Sequence, residues 1–369
     1  MTITVKQISQ FIEAWAPPHL AYTWDKVGLH TGDPNKEVNK LLLCLSVTPE
    51  AVRAAKKAKA EMIVAHHPLI WEPLTNLRTD NPKAQLCLDI AVAGIACFAA
   101  HTNLDVTEDG VSDALAKRLG LEGCTPLFAS RTADLVKVVT FVPKTHLDRL
   151  RDALAEAGAG NIGRYSHCSF TSPGTGTFLP EAGSAPFSGK RGVINHEPEI
   201  RLEMIMKKNR ISSVTQALLR THPYEEPAFD LIPLANVDPN IGLGRIGSLK
   251  ESMPFKDFAA MLQRALGLSY LIHYGALKRR VRRVAVLGGS GGGSIADLPD
   301  GIDVYVTGDI RYHDAQEALL RKICCIDAGH AATELPILDT LERRLQERWK
   351  DLKINLFREK GMGTLYTEV

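Results

Sequence analysis

Leu41 to Trp71 reads LLLCLSVTPEAVRAAKKAKAEMIVAHHPLIW. LLLCLSV predicts a buried strand. TPEAVRAAKKAKA predicts a helix, with Thr48 as N-cap, Pro49 at the first helical position and Glu50 in the first turn. MIVA predicts a second strand. It runs straight into His66, His67 and Pro68. Strand, helix, strand over so short a span is a βαβ unit, which makes a parallel sheet with helices on its faces. The same rhythm continues. KAQLCLDIAVA predicts a helix stopped by Gly94, and IACFAA a third strand.

The last third repeats it. RRVAVLGG is a strand entering a glycine loop, VYVTGD a strand and IRYHDAQEALLRK a helix. KICCIDAGH is a strand, and AATELPILDTLERRLQERWK one long helix. The two ends therefore form one composite α/β body of mostly parallel sheets, 1–129 and 249–369. The middle differs. LVKVVTFVP, EIRLEMIMKK and AFDLIPL read as strands, and KTHLDRLRDALAEAG and ISSVTQALLRTH as helices. SHCSFTSPGTGTFLPEAGSAPFSGKRG is rich in Gly, Ser and Pro and reads as loop. This is the split βαβ pattern of a ferredoxin-like α+β insert, placed at 130–248.

Composition bounds the function. The chain has 369 residues, 45% of them hydrophobic, and a formal net charge of +2. That balance gives no argument for nucleic acid or an anionic membrane as partner. Seven scattered cysteines with no C-x-x-C predict reduced, buried thiols. MTITVKQISQFIEAW lacks the layout of a signal peptide, and Asp89 and Gly94 interrupt the most apolar long stretch. The expectation is a cytoplasmic protein.

Polar clusters follow the strands. His66 and His67 follow MIVA. His101, Asn103 and Asp105 follow IACFAA. Asp309 and His313 follow VYVT, and His330 and Glu334 follow ICCIDA. Strand ends are where open α/β sheets bind ligands, and imidazole and carboxylate are metal-ligand groups. His330 and Glu334, four apart, share one helix face if His330 begins the last helix; Asp309 and His313 have the same spacing. Neighbours on a regular strand point apart, so His66 and His67 converge only if the strand breaks, and Pro68 is a breaker. The pair fits ligands that leave the strand to hold two nearby metal ions. His101, Asp309 and His313 fit three roles: partners that orient ligands, acid/base groups, or loop caps.

Three further stretches carry two readings each. GGSGGGS, Gly288 to Ser294, cradles a phosphate or is a tight turn where backbones meet. HPYEEP, His222 to Pro227, is better read as a capped turn at a subunit contact than as a site. WDKVGLHTGD, Trp24 to Asp33, is better read as a packed loop fixed by Trp24 and Asp25.

WDKVGL, AHHPLIW, HTNLD, TGDIRYHDA and GHAATE together resemble the GTP cyclohydrolase I type 2 homologues, also called NIF-three-like proteins. The resemblance spans essentially the whole chain. CSFTSPGTGTFLP and HPYEEPA resemble the PII-like or CutA-like insert of the longer bacterial members. The resemblance implies a dinuclear metal centre on His66, His67, Asp105, His330 and Glu334, with Glu334 bridging. It also implies a homohexamer with its metal sites facing an internal cavity. Zinc, iron, manganese and cobalt all suit these ligands. The function implied is a metal-dependent hydrolase acting through activated water on a nucleotide-like substrate, with His101 or His313 shuttling the proton. The alternative is a metal-binding regulatory or scaffold protein whose insert senses a ligand or gates the cavity.

Overall fold

A computed structural model describes residues 3–129, 135–236, 238–274 and 280–359. The chain divides into two compact units, Met1–Ser130 with Pro239–Val369, and Arg131–Asp238. The expected start of the insert, residue 130, lies outside the described residues. Its expected end, 248, falls within the strand Gly242–Pro254 of the larger unit.

Among the described residues, the larger unit has two sheets. The first takes its strands in the order Gly28–Thr31, Ala96–Ala99, Met62–Ala65, Lys40–Cys44, Lys353–Leu356. All its pairings are parallel except the first. The helices Pro49–Ala58 and Pro82–Val92 are its crossovers. Thr48 accepts from the Ala51 amide and Pro49 opens the helix, as its sequence predicts. Alternation then sorts the side chains. Leu41, Leu43, Met62, Val64 and Phe98 pack with Ile8, Ile12, Ile337 and Leu341 in one fully buried core. Leu42, Cys44, Ile63, Ala65 and Cys97 pack with Val52, Ala55 and Ile90 in another. Each buried leucine contributes about 1.5–3 kcal/mol.

The second sheet runs Ile272–Tyr274, Cys324–Asp327, Val304–Gly308, Arg280–Ser290, Gly242–Pro254, Glu122–Ala129. Only the two pairings of Val304–Gly308 are parallel; the other three are antiparallel. The expectation of mostly parallel sheets is therefore corrected here. Three strands that sequence pattern left unassigned, Ile272–Tyr274, Gly242–Pro254 and Glu122–Ala129, cause the difference. EGCTPLFA carries Gly123 and Pro126, which weaken a strand signal and suit the sheet edge it occupies. Its neighbour carries Arg245, 3% exposed. Arg245 donates to both Asp113 oxygens at 2.7 Å and to the Gly242, Gly244 and Thr107 carbonyls. That clamps the helix Val111–Arg118 onto the sheet.

The last long helix is two. His330–Glu334 ends before Pro336, which opens Pro336–Arg348. Among the described residues no helix is long and apolar enough to cross a membrane.

The smaller unit follows the order strand Leu135–Val142, helix Leu147–Glu156, strands Phe170–Phe178 and Asn195–Lys207, helix Ile211–Thr221, strand Phe229–Pro233. This is the β-α-β-β-α-β order expected. Phe170–Phe178 lies in the stretch read as loop, where Pro173, Gly174 and Gly176 mask an edge strand. The sheet is antiparallel throughout, and Val138, Leu150, Leu154, Leu202, Met204 and Leu218 fill its core.

Candidate metal centre

Three adjacent parallel strands of the first sheet, Lys40–Cys44, Met62–Ala65 and Ala96–Ala99, end side by side. Just beyond them lie Ser46, the pair His66–His67, and His101. The pair leaves the regular strand at Ala65, as Pro68 led one to expect, and its rings lie 4.9 Å apart. Asp105 follows on the helix Thr102–Val106. The second sheet supplies the rest from the ends of two parallel strands. Asp309 follows Val304–Gly308, and His330 follows Cys324–Asp327 and opens the helix that carries Glu334.

Each imidazole is held from behind. His66 Nδ1 donates to the Ala100 carbonyl at 2.8 Å, His101 Nδ1 to Asp25 at 2.9 Å and His330 Nδ1 to Asp309 at 2.7 Å. His67 Nδ1 pairs with the Ser46 hydroxyl at 2.7 Å. A carbonyl or carboxylate only accepts. In their neutral forms His66, His101 and His330 therefore keep the proton on Nδ1 and present an Nε2 lone pair. Metal-binding histidines are oriented in this way.

The opposite nitrogens converge on carboxylates. His66 Nε2 lies 3.6 Å from both Asp105 Oδ1 and Glu334 Oε1. His330 Nε2 lies 3.1 Å from Glu334 Oε1, and His67 Nε2 lies 3.1 Å from Glu334 Oε2. The last approach lacks hydrogen-bond geometry. His66 Nε2, Asp105 Oδ1 and Glu334 Oε2 are all buried without a hydrogen-bond partner. Buried polar atoms are rarely left so. Ligand atoms of His66, His67 and His101 lie within 4.8 Å of one another, and so do those of His67, His330 and Glu334. Two triads sharing His67, with orphaned lone pairs facing inward, fit divalent metal chemistry.

Electrostatics point the same way. Burial alone would lower the pKa of His66, but Glu334 and Asp105 outweigh it and raise it to about 9. His330 is raised to about 9, chiefly by its hydrogen bond with Glu334. Burial raises Asp105 to about 6. Burial would raise Glu334 as well, but His66, His330 and His67 hold it well below the usual carboxylate range. Two buried carboxylates draw positive charge into this pocket, as protons or as cations.

Of the residues expected from sequence, His66, His67, Asp105, His330 and Glu334 come together, and His101 joins them. Asp309 stands behind His330, with its backbone at φ 56° outside the following helix. That helix starts at Tyr312, so Asp309 and His313 do not share a helix face. His313 is exposed and bonded to Gln316 at 3.0 Å. Sequence reading missed the roles of Asp25 and Ser46. Burial would raise Asp25, but hydrogen bonds from His101 and Thr102 hold it below the usual range. Ser46 carried a signal that was available: it is a polar residue just after an apolar strand.

The glycine loop belongs to this architecture. Gly289 has φ 74°, and a Cβ there would meet Glu334 Oε1 at 2.3 Å. Its amide donates to Thr333 Oγ1 at 2.9 Å. The tight-turn reading holds at Gly289: backbone and carboxylate meet where only glycine leaves room. On the other side, Tyr22, Trp24 and Trp71 are 44%, 54% and 43% exposed. Tyr22 stacks on Trp24, and Trp71 meets the His101 ring edge-on at 5.5 Å.

Comparison with known proteins adds three findings. Residues 3–360 match the family described as Duf34/NIF3 (NGG1p interacting factor 3). Proteins named "GTP cyclohydrolase 1 type 2 homolog" from Halalkalibacterium halodurans and Bacillus subtilis are 41% and 37% identical to this chain. The first match covers 94% of both chains and the second 96% of both. The crystal structure of a Bacillus cereus protein related to NIF3 is 37% identical, with a TM-score of 0.88 over 99% of this chain and 100% of its own.

Proposed function

The chain belongs to the Duf34/NIF3 family, and from that premise we propose that it is a dinuclear metal-dependent hydrolase of a nucleotide-like substrate. The observation that carries the proposal is the pair of donor triads sharing His67, with Glu334 facing three imidazoles.

In this reading two divalent ions would be held by Asp105, Glu334 and the imidazoles of His66, His67 and His330. Glu334 lies between, with Oε1 toward His66 and His330 and Oε2 toward His67. Ions held there supply Lewis acidity and the activation of water at neutral pH. The remaining work falls to the chain. His101 lends Nε2 as a proton acceptor or a further ligand. Asp25 fixes its tautomer and stabilises the imidazolium that proton uptake makes. Asp309 and Ser46 hold His330 and His67 in register. Tyr22, Trp24 and Trp71 form an exposed aromatic wall beside His101, suited to a planar ring. That wall supports a nucleotide-like substrate, and the relatives' name makes GTP the first to try.

The smaller unit's strand order supports a ferredoxin-like, PII-like or CutA-like insert. The resemblance to the family, not the strand order, implies a homohexamer. The test is turnover of GTP, other nucleotides and phosphoesters by metal-loaded protein. Turnover that vanishes in His66→Ala supports a hydrolase. Full metal loading with no turnover across the panel supports a regulatory or scaffold protein instead.

A further inference from the structure

A cavity of about 750 Å³ opens within the smaller unit, formed by the strands Phe170–Phe178 and Asn195–Lys207 and the turn His222–Pro227. Its volume is typical of small-molecule sites. Its walls combine two chemistries. Phe141, Phe178, Phe187 and Tyr224 supply aromatic rings, and Glu199, Glu225 and Glu226 supply carboxylates. Phe187 is 51% exposed, although its ring lies 5.9 Å from that of Tyr224.

Arg201 is the one basic side chain in the lining, against three glutamates; its Nε donates to Glu203 at 2.8 Å, a carboxylate it shares with Lys137, and its guanidinium lies 5.8 Å from the Phe141 ring. Glu225 accepts the Ala185 amide at 2.9 Å, which ties the loop over the cavity to the turn below. Among the described residues, Glu199 and Glu226 have no ion-pair partner. Glu199 has a built place. A Cβ on Gly176 would lie 2.3 Å from its Oε2, so the glycine makes room for the carboxylate. The buried Tyr224 hydroxyl faces Glu199 without hydrogen-bond geometry, and burial and then Glu199 push its pKa up. His222 is not part of the lining chemistry. Its Nε2 donates to the Phe141 carbonyl at 3.0 Å, and its Nδ1 accepts from the Tyr224 amide at 3.1 Å.

Rings with an excess of unpaired carboxylate select a cation with an apolar body. Ring faces attract it through their quadrupoles, and a carboxylate adds charge-assisted hydrogen bonds. An anion meets net repulsion. We propose that this cavity is a binding site for an organic cation, an amine or guanidinium, with Glu199 and Tyr224 at its charged end and Phe187 as a ring wall.

Calorimetric titration of the full-length, metal-loaded protein tests this, with agmatine and choline as probes and calcium and AMP as counter-probes. The expected result is saturable binding of at least one organic cation at one site per chain. Glu199→Gln, which keeps shape but removes charge, weakens it at least about tenfold. Phe187→Ala weakens it as well, and chelator-stripped wild-type protein binds equally, which separates it from the metal centre. An unchanged melting temperature in Glu199→Gln confirms that the fold survives. No heat from either organic cation at millimolar concentration overturns the proposal. So does preferential binding of AMP or calcium, and so does cation binding that Glu199→Gln leaves intact.

Discussion

Asp25 Oδ1 and His101 Nδ1 lie 2.9 Å apart, although 76 residues separate them in the chain. The Asp25 side chain is fully buried and also accepts the Thr102 amide at 3.0 Å. One loop near the start of the chain thus sets the tautomer of an imidazole at the end of a strand in the same sheet layer.

Asp25→Asn keeps the shape and loses the charge. Removing a carboxylate behind a metal-binding imidazole typically weakens metal affinity 10–100-fold. We expect a loss of about that size in chelator-competition titrations, with an unchanged circular dichroism spectrum. Wild-type affinity in the variant would leave His101 without a part in metal binding.

Gly289→Ala places a methyl carbon 2.3 Å from Glu334 Oε1 at a backbone angle that disfavours side chains. Strain of this kind costs about 1–3 kcal/mol. The variant is expected to melt lower and to lose metal. Gly293→Ala is the control, since nothing lies within 4 Å of its added carbon. Equal behaviour of the two variants would sink the claim that the glycine loop makes room for Glu334.

The pH dependence has a definite sign. In metal-free protein His66 and His330 are raised to about 9 from an ordinary 6.5. Their protonated forms stabilise the fold. That contribution is full below pH 6.5 and is lost as pH rises through 9. Metal-free protein is therefore expected to melt progressively lower from pH 6.5 to 9.5. Metal competes with the same protons, so metal affinity rises over that window and binding releases protons. Melts in chelator, and titrations in buffers of differing ionisation enthalpy, check both. Metal binding that strengthens as pH falls would contradict the arrangement.

The strand ends were legible because each apolar run stops in imidazole or carboxylate, and an open sheet gathers its strand ends. MIVAHHP is the plainest case. Spacing alone misled at Asp309 and His313. Four residues apart means one face only inside a helix, and Asp309 at φ 56° lies before the helix begins. Asp25 was invisible as a histidine partner because nothing local links two residues so far apart. The strand Glu122–Ala129 was hidden by its own Gly123 and Pro126, residues that an edge tolerates and a pattern search penalises. The room that Gly289 leaves for Glu334 depends on contact between distant segments, which no local spacing encodes.

The most direct measurement is metal content per chain, by elemental analysis of untagged protein purified without chelator. The account predicts a value near two, falling sharply in Glu334→Ala, because that carboxylate faces three of the imidazoles. A value near zero that added divalent metal does not raise would contradict it.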